Sequence, residues 1–307
     1  MRVGFIGLGG IGLPMARNVL RAGYALTVHD LRDAPMKELQ HRGARAVGSP
    51  RAVAEMSDII FASLPSNDAS KTVALAENGV LAGATNGAIY VELSTISPHI
   101  VRLIVDEARE VGVDVLDAPV SGGISQRETD SLTIMAGGDA AVLERARPVL
   151  QTFGSRIFHA GDSGAGATVK LINNLLAGIN MVSAMEAMSL AVKAGVQIGV
   201  LKEVVSASSG NSGVFQSVVD NVMERASDPG PGSVANQGLH TIGKDVRLAA
   251  ELAQDLGVKL PIGVPAEQIF AMALERGWAH REYWSIMQIL EEMSDVTVRP
   301  RDLREDA

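Results

Sequence analysis

The sequence predicts an α/β doubly wound parallel sheet followed by an all-α C-terminal domain, the two joined through a long interdomain helix. Three observations carry this reading. Short β-rich apolar runs alternate with helical patterns through the first half of the chain, a glycine-rich turn follows the first of those runs, and from Gly164 onward the apolar spacing is helical. The expected bounds are 1–162 for the first domain, 163–294 for the second, and 295–307 for a charged, unpatterned tail expected to fray.

In chain order, residues 2–6 (RVGFI), 25–30 (ALTVHD), 58–64 (DIIFASL), 88–93 (AIYVEL) and 113–117 (VDVLD) are apolar runs of strand length, and 131–136 and 155–160 supply two more. Between them, Ser49 before Pro50 and Ser97 before Pro98 place a capping hydroxyl ahead of a proline suited to a first helical turn. This alternation is the grammar of a parallel sheet covered by helices on both faces. Residues 167–194 then form one uninterrupted pattern in which Val169, Ile172, Leu176, Ile179 and Val182 recur at three- and four-residue intervals, an apolar stripe expected to face a core. Further helices are expected at 198–207, 214–225, 236–256, 264–276 and 282–292, broken by glycines and by Pro229, Pro231 and Pro261.

Composition narrows the class. With 307 residues and 47% hydrophobic content the chain can bury substantial cores unaided, and the absence of cysteine removes disulfides, zinc ribbons, iron–sulfur sites and a thiol nucleophile together. The opening MRVGFIGLGG lacks the unbroken apolar run of a secretory signal, so Met1 reads as the mature start. Lys, Arg, Asp, Glu or Asn are read as interrupting every long apolar stretch, which predicts a soluble, cytoplasmic protein without a membrane span. A net charge of −8 and 4% aromatic content argue against a nucleic-acid partner.

Gly7-Leu8-Gly9-Gly10-Ile11-Gly12 fits the G-x-G-x-x-G spacing, directly after the first strand and directly before the amphipathic run Met15–Leu20. In a Rossmann-type unit Gly7 permits the tight turn, Gly9 lets the backbone approach a pyrophosphate, Gly12 lets helix and strand pack closely, and the Gly10 and Ile11 amides face the phosphates. Asp30 ends the second strand, 18 positions after Gly12, where a carboxylate accepts both ribose hydroxyls of adenosine and repels a 2′-phosphate. NAD is therefore favoured, while Arg32, two residues on, keeps NADP open.

Four separated blocks, GLGGIGLPMARNVLRAG at 7–23, DAPVSGG at 117–123, GAGATVKLINN at 164–174 and GKDVRLA at 243–249, resemble the β-hydroxyacid dehydrogenases, whose members include 3-hydroxyisobutyrate dehydrogenase and tartronate semialdehyde reductase. The resemblance spans most of the chain and implies reversible NAD(P)-dependent oxidation of a hydroxyl β to a carboxylate. It places the catalytic lysine on Lys170 and its asparagine partner on Asn174. It assigns the substrate carboxylate to Ser121, Gly122 and Gly123, the nicotinamide side of the cofactor to Leu64, Pro65 and Thr95, and a further cofactor contact to Lys244. Independently, an amine partly removed from water can take up a hydroxyl proton near working pH, and positions i and i+4 share a helix face. Read alone, Lys170 and Lys244 would be ordinary surface lysines, the latter beside Asp245.

The chain departs from the family pattern in three places. The loop 124–130 reads ISQRETD where the family shows small residues, so Arg127 is either a second carboxylate contact or a surface partner of Glu128 or Asp130. The segment 236–241, NQGLHT, lacks the aromatic residue common in the family, and His240 within it either touches substrate or is structural. Ile11 replaces the usual methionine at similar volume. The alternatives kept open are an NADPH-dependent semialdehyde or glyoxylate reductase and a non-catalytic dinucleotide-binding module; imine reductases, similar in shape, generally lack a lysine at position 170. No metal site is expected. The long apolar helix and 12 methionines predict a homo-oligomer, a dimer or tetramer.

Overall fold

The computed structural model describes residues 1–122, 131–224 and 238–298. The chain divides into two compact units, Met1–Leu171 and a second that begins at Ile172.

The first unit is built on one sheet. Its strands are β1 (Arg2–Ile6), β2 (Ala25–His29), β3 (Arg45–Ala46), β4 (Ile59–Ala62), β5 (Ile89–Glu92), β6 (Asp114–Asp117), β7 (Val120–Ser121), β8 (Thr133–Gly137) and β9 (Arg156–Gly161). They lie in the order β3-β2-β1-β4-β5-β6-β8-β7, with β9 on the far side of β8. All pairings from β3 to β6 are parallel, and 3-2-1-4-5-6 is the doubly wound order of dinucleotide-binding units. The expected parallel sheet is thus present, with one antiparallel element added at its end: β8 runs antiparallel to β6 and β7 and parallel to β9. Strands β3 and β7 are two residues each, too short to leave an alternation in sequence.

Helices cover both faces. These are α1 (Gly12–Arg21), α2 (Asp33–His41), α3 (Pro50–Ala54), α4 (Asn67–Leu75), α5 (Pro98–Glu110) and α6 (Ala140–Leu150). The predicted Ser–Pro starts are as expected: Ser49 Oγ accepts from the Ala52 amide and Ser97 Oγ from the His99 amide. On one face Phe5, Val28, Phe61 and Leu116 pack with Met15 and Val19 of α1 and Leu143 and Ala146 of α6. On the other, Ile60 and Tyr90 pack with Val53, Ala74 and Ile104 from α3, α4 and α5. A strand buried on both faces reads as a continuous apolar run, which is why these strands were legible.

The long predicted helix is α7 (Ala165–Lys193), and α8 (Ile198–Ser206), α9 (Gly213–Glu224), α10 (Leu239–Asp255) and α11 (Gly263–Glu275) follow within two or three residues of their expected bounds. The last expected helix is divided: a 3₁₀ turn, Tyr283–Ile286, precedes α12 (Met287–Ser294). Met185, Met188, Phe215, Val219, Val246, Phe270 and Met287 form the core of the second unit.

Two expectations need correction. The tail does not begin at 295, because Val298 is fully buried and its amide donates to Glu291 Oε1 at 2.6 Å; residues 299–307 lie outside the described residues. By length and composition α7 can cross a membrane, its most apolar 18-residue window having a mean hydropathy of 1.6 with 39% of it buried. Asn173, Asn174 and Asn180 interrupt the apolar run without adding the charges that would exclude such a span. Val182, Met185 and Met188 of this helix belong to the second unit's core.

Candidate active site

The reversal of strand order falls between β1 and β4, and the glycine-rich turn leaves β1 at that point. Gly7 takes a left-handed φ of 85°, and a Cβ there would sit 2.2 Å from the Ser63 carbonyl oxygen. A Cβ on Gly12 would fall 2.0 Å from the Gly7 carbonyl oxygen. These two glycines are demanded by the protein's own packing. Gly9 and Gly10 are not, since nothing lies within 4 Å of a Cβ at either. Among the described residues the Gly10 and Ile11 amides have no protein acceptor. An open cradle edged by unpaired amides at the start of a helix fits a dinucleotide pyrophosphate.

Beside this turn the Asp30 carboxylate is already engaged. Oδ2 accepts from the Leu8 amide at 2.6 Å, Oδ1 accepts from the Arg32 amide at 2.8 Å and from Arg32 Nε at 3.0 Å, and the Arg32 guanidinium also donates to the Leu8 carbonyl. Partial burial alone would push Asp30 up, but the hydrogen bonds from Arg32 and Leu8 outweigh it and hold the carboxyl below its ordinary range. Asp30 thus joins the glycine turn to the end of β2, and Arg32 offsets the charge that would face a 2′-phosphate.

Strands β4 and β5 end before the expected bounds, which leaves Leu64, Pro65 and Thr95 on the loops at the carboxyl edge. A buried relay that the sequence reading missed ties those loops together. Tyr90 Oη donates to Glu92 Oε2 at 2.9 Å, the Ser94 amide donates to Glu92 Oε1 at 3.0 Å, and the Leu64 amide donates to Ser94 Oγ at 2.7 Å. Desolvation raises the Glu92 pKa above the ordinary carboxylate value, opposed by the hydrogen bonds from Ser94 and Tyr90.

Ser121 lies on β7, paired with Thr133 of β8, rather than on a free turn; Gly122 follows it, and Gly123 and Arg127 lie outside the described residues. In the same unit Lys170 is only 8% exposed. The expected apolar stripe of α7 is reversed in its first turns: Val169, Ile172 and Leu176 are 42%, 50% and 57% exposed, while Lys170, Leu171 and Asn174 are buried. Burying an amine and an amide in place of available aliphatic side chains costs free energy, the pattern expected of functional groups.

In the second unit Asn174 Nδ2 donates to Asp245 Oδ2 at 2.6 Å, and Lys244 Nζ lies 2.9 Å from Asp245 Oδ1. Lys244 is thus no solvated surface lysine, and two predicted site residues meet on one buried carboxylate that had seemed only a neighbour. His240 Nδ1 bonds the Ala279 carbonyl and its ring lies 5.7 Å from that of His280, which anchors the start of α10. No group of three metal-ligating side chains occurs among the described residues.

Residues 2–161 match the NAD binding domain of 6-phosphogluconate dehydrogenase, and residues 164–290 match the NAD-binding domain of NADP-dependent 3-hydroxyisobutyrate dehydrogenase. The 2-(hydroxymethyl)glutarate dehydrogenase of Eubacterium barkeri is 38% identical over 97% of both chains. The chain belongs to the β-hydroxyacid dehydrogenase family. Like other β-hydroxyacid dehydrogenases it is an NAD(P)-dependent oxidoreductase acting on a CH–OH group. The NAD-dependent L-serine dehydrogenase of Pseudomonas aeruginosa is 37% identical over 94% of this chain and 98% of its own. Among solved β-hydroxyacid dehydrogenases, 3-hydroxyisobutyrate dehydrogenase from Salmonella typhimurium superposes with a TM-score of 0.82 at 31% identity, over 94% of this chain and 99% of the other. The Mycobacterium tuberculosis 3-hydroxyisobutyrate dehydrogenase, solved with L-serine, gives 0.83 at 28%, with the same coverage of each chain.

Proposed function

We propose that this protein oxidises a 2-substituted 3-hydroxypropanoate to the corresponding semialdehyde with NAD. The compounds that name its relatives, 2-(hydroxymethyl)glutarate, L-serine and 3-hydroxyisobutyrate, share a hydroxymethyl group on the carbon that carries a carboxylate. They differ in the 2-substituent, which is carboxyethyl, ammonium or methyl. The cofactor, when bound, takes up the hydride of the carbinol carbon. Gly9, Gly10 and Ile11 would hold its pyrophosphate, Asp30 its adenosine ribose, and Leu64, Pro65 and Thr95 its nicotinamide side, with Lys244 a further contact. Lys170, as the free amine, accepts the proton of the substrate hydroxyl, and as the ammonium returns it to the carbonyl oxygen in reduction. Asn174 orients the reacting oxygen, and Ser121, Gly122 and Gly123 bind the carboxylate.

The burial of Lys170 and Asn174 where the neighbouring Val169, Ile172 and Leu176 face outward carries this reading. Lys170→Ala is expected to lower turnover at least about 10²-fold, the usual contribution of general acid–base catalysis, while NADH binding persists. Unchanged turnover would overturn the assignment. NADH binding by the unaltered protein without turnover on any such hydroxy acid would favour a binding module instead. NADPH-dependent reduction remains the second reading, supported by Arg32 at Asp30. The exposed Val169, Ile172 and Leu176 support a homo-oligomer in which a second copy covers this face of α7.

A further inference from the structure

We infer that Asp117 is the positioning residue that sets Lys170 and the Ser121-Gly122 segment relative to one another; the inference rests on the proton-transfer role proposed for Lys170. Asp117 ends β6 and is 1% exposed. Its carboxylate reaches across to the start of α7, Oδ1 accepting from the Gly164 amide at 2.8 Å and Oδ2 from the Ala167 amide at 2.7 Å. Both of these donors are backbone amides, and burial pushes its pKa above the ordinary aspartate value. A serine or aspartate adjacent in sequence would cap a surface helix at less desolvation cost. Here the acceptor comes from a strand 47 and 50 residues away in sequence.

The joint has no slack. A Cβ on Gly166 would lie 2.2 Å from the Met135 carbonyl oxygen and 2.5 Å from that of Asp117, and a Cβ on Gly137 would lie 2.5 Å from Asp117 Oδ1. The first turn of α7 therefore rests backbone to backbone on the ends of β6 and β8. Lys170 follows Ala167 by three residues, a rise of about 4.5 Å within one helical turn, so the seating of that turn fixes where the amine points. In the other direction Ser121 follows Asp117 by four residues, through Ala118, Pro119 and Val120. In a β-hydroxy acid the carboxylate and the reacting hydroxyl are separated by a fixed number of bonds, so the carboxylate-binding residues and the amine must keep one spacing. Asp117 joins the two sequence blocks that contain them.

The test compares Asp117→Asn, Asp117→Glu and Lys170→Ala in the full-length protein. Asp117→Asn keeps the size of the side chain but replaces one acceptor oxygen with a donor, and Asp117→Glu keeps both acceptors but adds a methylene. Each is expected to lower kcat by about 10²-fold, the effect of misplacing a reacting group by about 1 Å. The Kd for NADH should stay within about twofold, and the primary isotope effect from deuterium on the carbinol carbon should rise as hydride transfer becomes limiting. A merely structural role would lower NADH binding and activity together and leave the isotope effect unmoved, which overturns the inference. So does wild-type kcat in either variant while Lys170→Ala is inactive. An active Lys170→Ala would instead mark failure of the underlying function. Should Asp117→Asn not fold, Asp117→Glu decides by the same criteria.

Discussion

Gly7 and Gly9 stand two residues apart in one motif, yet they should answer the same substitution in opposite ways. In Gly7→Ala the left-handed φ costs about 1–2 kcal/mol, and forcing a methyl against the Ser63 carbonyl, 2.2 Å away, adds about 1–3 kcal/mol. In Gly9→Ala the new methyl meets nothing within 4 Å, so the unliganded protein should keep its stability or gain about 0.4–1 kcal/mol from the stiffer unfolded chain. That methyl would occupy the space assigned to the pyrophosphate. With NADH at about 100 times its Kd, the unaltered protein gains about 2.7 kcal/mol. At about 2–4 °C per kcal/mol for a unit of this size, the gain corresponds to a rise in Tm of about 5–10 °C. A hundredfold loss of affinity in Gly9→Ala would reduce the gain to about 0.4 kcal/mol and the rise to about 1 °C. Thermal melts of the three proteins with and without NADH measure all of these quantities. A full NADH-induced shift in Gly9→Ala would refute the reasoning, because the open space before Gly9 would then not be the phosphate cradle.

Three further outcomes are expected. Asp30→Ala should free Arg32 for a 2′-phosphate and lower the ratio of kcat/KM with NAD to that with NADP by about tenfold or more, whereas adding Arg32→Ala should abolish any NADP gain; steady-state kinetics with both cofactors decide. Ser94→Ala leaves the Leu64 amide without its acceptor, a loss of about 1–3 kcal/mol, and in calorimetric titrations should weaken NADH while sparing ADP-ribose, which lacks the nicotinamide. Because burial raises the Glu92 pKa, the native protein holds that proton more tightly than the unfolded chain. Its contribution to stability is therefore full below the ordinary carboxylate pKa and lost as pH rises through the raised native value. The Tm of the unaltered protein relative to Glu92→Gln should decline over that range.

What the sequence disclosed and what it hid have separate physical causes. β1, β4 and β5 are buried on both faces and read as unbroken apolar runs, and the glycine turn announced itself because backbone sterics leave few residue choices there. Lys170, Asn174 and Lys244 are singled out by their sequence blocks rather than by periodicity, whose stripe lies outward in the first turns of α7. Asp117, Glu92 and Asp245 did not stand out in the sequence, since their burial and their donors, such as the Gly164 amide for Asp117, come from the folded structure. A carboxylate at a strand end looks in sequence like an ordinary solvated residue. What distinguished these three was their burial together with specific donors, properties that only folding creates.

The uninterrupted geometry of α7 restricts how this chain can change in length. Each residue of an α-helix advances about 1.5 Å and rotates about 100°. Removing one residue between Ala167 and Lys170 would swing the amine more than a quarter of the way around the helix, while its anchor at Gly164 and Ala167 stayed in place. Surface loops elsewhere can lengthen or shorten by several residues at little cost, but between Ala167 and Lys170 the count itself sets where the amine points.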